Sequence, residues 1–421
     1  MRKKSLLHKS FFCILLFSCI SHVAGENWTR FRGPNGQGHS SEKNLPVKWT
    51  ENEYLWTVKL PGMGHSSPVI WGDKVFITCA TKDNGNASLI AYHTTDGKEL
   101  WKKQYEFEPV KMNELNSIAA STPTVDEKHV YSLWYGKDKT LLVALDHTGR
   151  QIWSEDFGVT SMQHGPCSSP ILYKDLVIFT QEQNSNSKNP ESKWVAVNKQ
   201  TGQLRWTVNR GLTKQASYSV PCVYTDKQGK DVLIFSSRQH GITAVDPATG
   251  ELVWETKDIL PARVVSSPVI AGDLILNTCG SGGGGEQLAV VRAPQTAEQK
   301  PQVAYTSRER FIPYVSTGIG VNNLFFLYHD QGMVTCLDST TGNIKWSEKP
   351  AGRYYSSPVY ANDTLYCIDM DGKFVVLKAE DSYEILGIMD LGEETQASVS
   401  IADGRIFLRT LTRLVCVGKK R

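Results

Sequence analysis

The sequence predicts an all-β fold, an eight-bladed β-propeller of four-stranded antiparallel blades. Three observations predict it. The phrase "AVDPATGELVW" (244–254) recurs in imperfect copies ending at Trp101, Trp153, Trp206 and Trp346. A second phrase, Ser-Ser-Pro before an apolar run, alternates with it. It starts at 66, 168, 266 and 356, with variants at 121, 219, 316 and 398, a period of about 40 to 55 residues over eight starts. Between these phrases lie short runs rich in Val, Ile and Leu, bounded by Gly, Asp and Asn, with no amphipathic helical period. Four such strands per unit make a propeller blade.

Each element has a local reason. An apolar strand follows Ser-Ser-Pro, and a turn such as "WGDK", "YKDL" or "AGDL" ends it. A β-rich strand follows, for example "VFITC", then a loop, then a third strand such as "LVALD". The Thr-Gly turn then delivers the fourth strand. An Asp or Asn ahead of that turn accepts its backbone N–H groups. Gly97, Gly149, Gly202, Gly250 and Gly342 supply the positive φ there. Trp101, Trp153, Trp206, Trp254 and Trp346 then offer a broad apolar surface to the neighbouring blade. Two copies are eroded: "VVRAPQTAEQKPQVAY" has lost its turn glycine and tryptophan, and "VLKAEDSYEILG" keeps only length and hydrophobicity.

The last unit holds three strands, "SVSIA", "RIFLRT" and "LVCVG", whereas "EYLWTVKL" (53–60) precedes the first unit without a blade of its own. The early strand is therefore expected to complete blade 8 and close the ring. Residues 1–25 read as a signal peptide, 26–49 as an N-terminal extension and 50–418 as the propeller. Arg2, Lys3 and Lys4 precede an apolar run, Phe11 to Ile20, about half the length of a membrane span. Val23 and Gly25 suit cleavage before Glu26. A lipobox-like "LFSC" leaves a second route open, lipid anchoring through Cys19. The chain is thus expected to be exported to the periplasm or cell envelope, soluble or lipid-anchored, and monomeric. No later stretch is apolar enough to span a bilayer.

Residues 1–25 contain four Lys or Arg and no acid, so the rest of the chain is close to neutral. That balance offers no electrostatic footprint for nucleic acid or anionic lipid. Seven cysteines follow the leader: Cys79, Cys167, Cys222, Cys279, Cys336, Cys367 and Cys416. None are adjacent and none form C-x-x-C. Most sit in strand patterns, where Cys acts as a small hydrophobe. Nucleophile-elbow, zinc-protease and Walker patterns are missing from the sequence. "GSGGGGE" (280–286) lies in a hairpin loop with no helix to follow, so it is read as a flexible loop and not as a phosphate cradle.

The A-x-D-x-x-T-G-x-x-x-W phrase resembles the PQQ-type propeller repeat: Ala244, Asp246, Thr249, Gly250 and Trp254 match each named position. The resemblance covers roughly residues 50–418. "FRGPNGQG" (31–38) is similar to the N-terminal segment of exported PQQ-like repeat proteins. In this family the tryptophans and glycines dock blades and are not cofactor ligands. The resemblance implies one of two branches. Quinoprotein dehydrogenases hold PQQ and calcium on the ring axis beside a vicinal disulfide, which a chain without adjacent cysteines cannot form. The BamB-type branch is a non-catalytic scaffold that meets partner proteins through its loops. The expectation is a binding scaffold with no catalytic residues, metal or cofactor; PQQ and calcium belong to the alternative.

Function is therefore expected away from the repeat. Loops between first and second strands share one face with the Thr-Gly turns and are short. Loops between second and third strands share the other face with the blade crossings and are long and varied, which is where a rigid scaffold carries recognition. Residues just before the innermost strands should rim the axis on that face: His65, His164, Tyr218, Arg263, Tyr314, Arg353, Tyr354 and Gln396. Such a rim suits an anion or a small polar or glycan ligand, or is simply a solvated rim with water-filled hydrogen bonds, while the loop face suits an envelope protein.

Overall fold

In the computed structural model, residues 26–419 are described, except 163, 166, 184–190, 283 and 297. The expected signal peptide, residues 1–25 with Cys19, lies outside the described residues. Eight four-stranded antiparallel sheets follow one another around an axis. Blade 1 contains Val69–Trp71, Lys74–Ala80, Asn86–His93 and Glu99–Glu106, running from axis to rim. Blades 2 to 7 repeat the plan. Blade 8 takes Ser400–Ala402, Arg405–Arg409 and Arg413–Gly418 from the C-terminal region, and Tyr54–Lys59 as its outer strand. Trp56 pairs with Cys416 and Val58 with Leu414, so the ring closes as the strand count predicts. The middle strands are buried on both sides, and apolar clusters fill the space between successive blades.

The docking rule is specific. Each aromatic residue reaches forward into the Thr-Gly turn of the next blade. The indole N–H of Trp101 donates to His147 O at 3.0 Å, that of Trp153 to Lys199 O at 3.0 Å, and that of Trp206 to Pro247 O at 3.0 Å. Its ring lies where the turn glycine has no side chain: a Cβ at Gly149 would stand 2.7 Å from Trp101, and one at Gly202 2.8 Å from Trp153. Trp206 covers Gly250 in the same way, and the closing strand places Trp56 over Gly97. Gly342 is covered by Tyr305, whose hydroxyl donates to Ser339 O at 3.0 Å. The copy that lost its tryptophan thus keeps the dock with tyrosine. Trp254 is half-buried against the cluster between blades 4 and 5. Trp346 donates to Glu380 O and packs on Tyr383.

The other eroded copy has a tertiary cause. Gly387 stands where most blades carry the aromatic, and Val47 O occupies the place of its missing side chain. Trp49 packs on Phe374 at 4.7 Å there, so the N-terminal extension fills the gap between blades 7 and 8.

The rest of the extension enters the axis. Trp28 exchanges two backbone hydrogen bonds with Ile70 of blade 1. Thr29 O accepts Val125 N of blade 2, and Arg30 donates to Pro221 O of blade 4 at 2.6 Å. Gln37 Oε1 accepts Ile270 N of blade 5, and Arg32 donates to Gly318 O of blade 6 at 2.7 Å. His39–Ser40 then pairs in parallel with the inner strand of blade 7. The segment bonds six of the eight inner strands.

Candidate functional site

The Ser-Ser-Pro phrase does more than start a strand. Its second residue forms a collar around the axis. Ser67 N donates to Thr122 Oγ1 at 3.0 Å and Thr122 N to Ser169 Oγ at 3.0 Å. Val220 N donates to Ser267 Oγ at 3.1 Å, Ser267 N to Thr317 Oγ1 at 2.9 Å, and Thr317 N to Ser357 Oγ at 3.0 Å. Ser357 N donates to Ser398 Oγ at 2.8 Å, and Ser398 N returns to Ser67 Oγ at 3.1 Å. The circuit lacks one link, because Val220 has no hydroxyl to receive Ser169 N. A hydroxyl that accepts a backbone N–H still has its own proton to donate. The collar therefore presents donors to the axis.

Above the collar lies a cavity of about 380 Å³ that opens among the long loops. A common offset ahead of the inner strands supplies most of its wall. Two residues before each collar position the side chain turns inward: His65, Ala120, Cys167, Tyr218, Val265, Val315, Tyr355 and Gln396 all line it. His164, Arg263 and Tyr314 join from farther up, and Phe31 of the N-terminal segment forms the floor. Asn116, also in the lining, holds the His164 segment by donating to His164 O and Gly165 O at 3.0 Å each.

Six of the eight rim residues expected from the sequence thus meet at one cavity. Arg353 and Tyr354 do not, which corrects that expectation. Tyr354 is fully buried between blades 6 and 7, edge-on to Tyr328 at 5.0 Å. Arg353 is exposed outside the lining. Tyr354 stands three residues before its collar serine, the same offset at which Tyr314 lines the cavity, so its burial against Tyr328 and not its offset takes it out of the lining. Ala120, Cys167, Val265, Val315 and Tyr355 were missed, although counting back two from each collar residue finds all of them. Phe31 carried no such signal.

The lining is rich in donors and, among the described residues, holds no Asp or Glu. Arg263, 4% exposed, donates from Nη1 to the Tyr314 hydroxyl at 3.3 Å. Behind the wall Arg409 is fully buried. It donates to Ser66 Oγ and Thr78 O at 2.7 Å each, and its hydrogen-bond partners are all neutral. Among the described residues no carboxylate pairs with Arg409, Arg30 or Arg32, and a guanidinium stays protonated at neutral pH. Burial, and then Arg409, pushes His65 down to about 4, and burial followed by Arg263 lowers His164. Both imidazoles are therefore neutral at pH 7. Burial pushes the Tyr218 phenol up to about 12, against the pull of Arg263. Asp330 sits behind Tyr314, accepting Tyr314 N at 2.6 Å and Val315 N at 3.0 Å, and burial raises it to about 6.

A resident calcium ion needs several oxygen ligands, usually with carboxylates among them. The lining supplies no carboxylate, and among the described residues no group of three His, Cys, Asp or Glu is placed to hold a metal. The cavity therefore does not fit calcium held as in a quinoprotein site.

Among curated proteins, no sequence matches the chain. Among solved structures it is similar to BamB from Moraxella catarrhalis, with 16% identity, TM-score 0.60, and coverage of 90% of this chain and 99% of that one. It is similar to a europium-containing methanol dehydrogenase at 12% identity and TM-score 0.53, covering 84% and 89%. It is also similar to the computationally designed Ika8 protein at 12% identity and TM-score 0.60, covering 87% and 99%. At these identities the likeness is one of fold. The family described as outer membrane protein assembly factor BamB matches residues 47–219 and 305–385, more than half of the sequence. With its eight PQQ-type blades, the chain belongs to that family.

Proposed function

We propose that the protein is a non-catalytic binding propeller of the cell envelope. It receives a small oxyanion-bearing polar ligand, such as a sugar acid, in the axial cavity, and its long loops meet a partner protein around the mouth. One observation carries this reading: a collar of hydroxyl donors and the Arg263 guanidinium face a cavity whose lining, among the described residues, has no carboxylate. An anion placed there gains charge-assisted hydrogen bonds, which are the stronger kind. Three buried arginines without carboxylate partners add positive potential from behind. Likeness to a BamB structure supports the scaffold part and an envelope location, and among the described residues no helix is long and apolar enough to cross a membrane.

Calorimetry with glucuronate, and with glucose as the neutral control, tests the reading. Glucuronate alone should bind. Arg263→Gln should abolish binding, while Arg353→Gln, outside the lining, should leave it intact. Equal affinity for both sugars, or none for either, ends the proposal. Reproducible dye-linked alcohol oxidation with added PQQ and calcium would reject the non-catalytic part.

A further inference from the structure

The phrase "FRGPNGQG" is not a blade element, yet it is among the most tightly held segments of the molecule. Pro34–Gly36 forms a single 3-10 turn whose glycines have no room for a side chain. Gly33 and Gly36 have φ of 67° and 66°; a Cβ would stand 2.6 Å from the Trp28 ring at Gly33 and 2.9 Å from Arg30 at Gly36. Arg32, fully buried, folds back on its own turn through Gly36 O and Gln37 O and reaches out to Gly318 O. The coil is braced from within and bonded outward to the inner strands.

The two sides of this coil face different spaces. Phe31 faces the axial cavity and packs against the apolar cluster of blades 3 and 4. Asn35, Gln37 and His39 face a second hollow of about 410 Å³, walled by the inner strands of blades 4 to 6. Asn27 Oδ1 accepts Gly72 N at the short first-to-second strand turn of blade 1, so the segment enters from the face opposite the cavity mouth.

We propose that Trp28–Ser40 is an axial plug that divides the channel into two compartments, and that Phe31 is the specificity-determining residue at the base of the upper one. The role of Phe31 in specificity rests on the proposed binding function; the partition does not. A ligand enters only from the long-loop face, and its depth of entry ends at Phe31. Replacing that ring with a smaller group deepens the cavity without touching the donors above it.

The test uses the full chain and the native thiol in the cavity. Cys167 lines the cavity and is partly exposed, whereas the other described cysteines are buried. Cys167 is capped with a bulky maleimide, verified on its peptide by mass spectrometry. A second thiol is introduced by Phe31→Cys or, separately, by Asn35→Cys, and its reaction with a small methanethiosulfonate is timed. Capping should slow the reaction at position 31 several-fold and leave that at position 35 unchanged. An unaffected rate at 31, or equal slowing at both positions, overturns the partition. If Phe31→Cys does not fold, Phe31→Met carries the same test through peroxide oxidation of its thioether, which the cap should slow likewise. None of these measurements needs a ligand. Failure of glucuronate to bind therefore ends the earlier reading, while the thiol rates still decide the plug.

Discussion

The outer girdle and the inner collar both join blade to blade, but with opposite chemistry. In the girdle an indole N–H reaches a turn carbonyl and the ring covers a glycine, as Trp153 does with Lys199 and Gly202. In the collar a backbone N–H reaches a hydroxyl, as Ser267 does with Thr317. The girdle is apolar and self-satisfied, so it contributes stability and leaves nothing to recognise a ligand. The collar satisfies the backbone while leaving its own O–H protons facing the axis. One ring serves as scaffold, and the other can also serve as a site.

The largest break in this comparison should come from the girdle. Trp153→Ala removes a buried indole and its bond across the blade boundary, and should cost about 3–5 kcal/mol. Urea unfolding should show it, and glucuronate affinity measured below the transition should be unchanged. A variant that keeps its stability would deny the girdle its role.

Acid–base behaviour should separate the rings next, with opposite signs. Burial raises Asp330, near the axis, to about 6 from the ordinary 3.8. The folded state then holds that proton more tightly than the unfolded chain. Stability is highest below the unfolded value and falls by about 3 kcal/mol as pH rises through the folded one. Asp330→Asn should remove that slope, measured by urea unfolding from about pH 4 to about pH 7. At the girdle, burial pushes Asp146 up, but the Thr148 hydroxyl and the Arg150 and Thr148 amides outweigh it and bring it down to about 2. Its contribution is present above 3.8 and lost as pH falls toward 2. An unchanged profile in Asp330→Asn would show that the axial carboxylate is not the source of the slope.

A single collar link should matter less. Thr317→Val keeps the shape and removes the acceptor of Ser267 N, leaving a buried donor unpaired at about 1–3 kcal/mol. The same variant should weaken glucuronate binding, which no girdle variant should do. The smallest effect is a gain. Val220→Ser supplies the missing hydroxyl beside Ser169 and should shift stability by no more than about 1 kcal/mol. A loss of stability larger than that would mean that the packing of Val220 matters more than the gap it leaves.

The parts of the molecule were legible to different degrees. Ring closure was readable because a three-stranded last unit and an unassigned early strand can satisfy each other's edges. The docks were readable because the Trp and Gly recur at fixed spacing. The substitution by Tyr305 was overlooked, although Tyr305 ends the eroded phrase where the other copies carry Trp; that its ring covers Gly342 came from the structure. At the cavity, position along the strand was right for Arg263, His65 and Gln396. Facing was wrong for Tyr354, because its ring packs between blades 6 and 7 against Tyr328, a contact that Tyr314 at the same offset from its collar residue does not make.

The sequence alone determined the blade, its number and its closure, because repetition encodes contacts between neighbours in a ring, and each copy restates them. Only the tertiary structure decided that residues 28–40 lie on the axis, that Trp49 fills the gap left by the eroded seventh copy, and that Phe31 ends the cavity. Those contacts join one unrepeated segment to strands up to several hundred residues away. No period announces them, and the glycines of "FRGPNGQG" reveal their reason only against the side chains and carbonyls they meet.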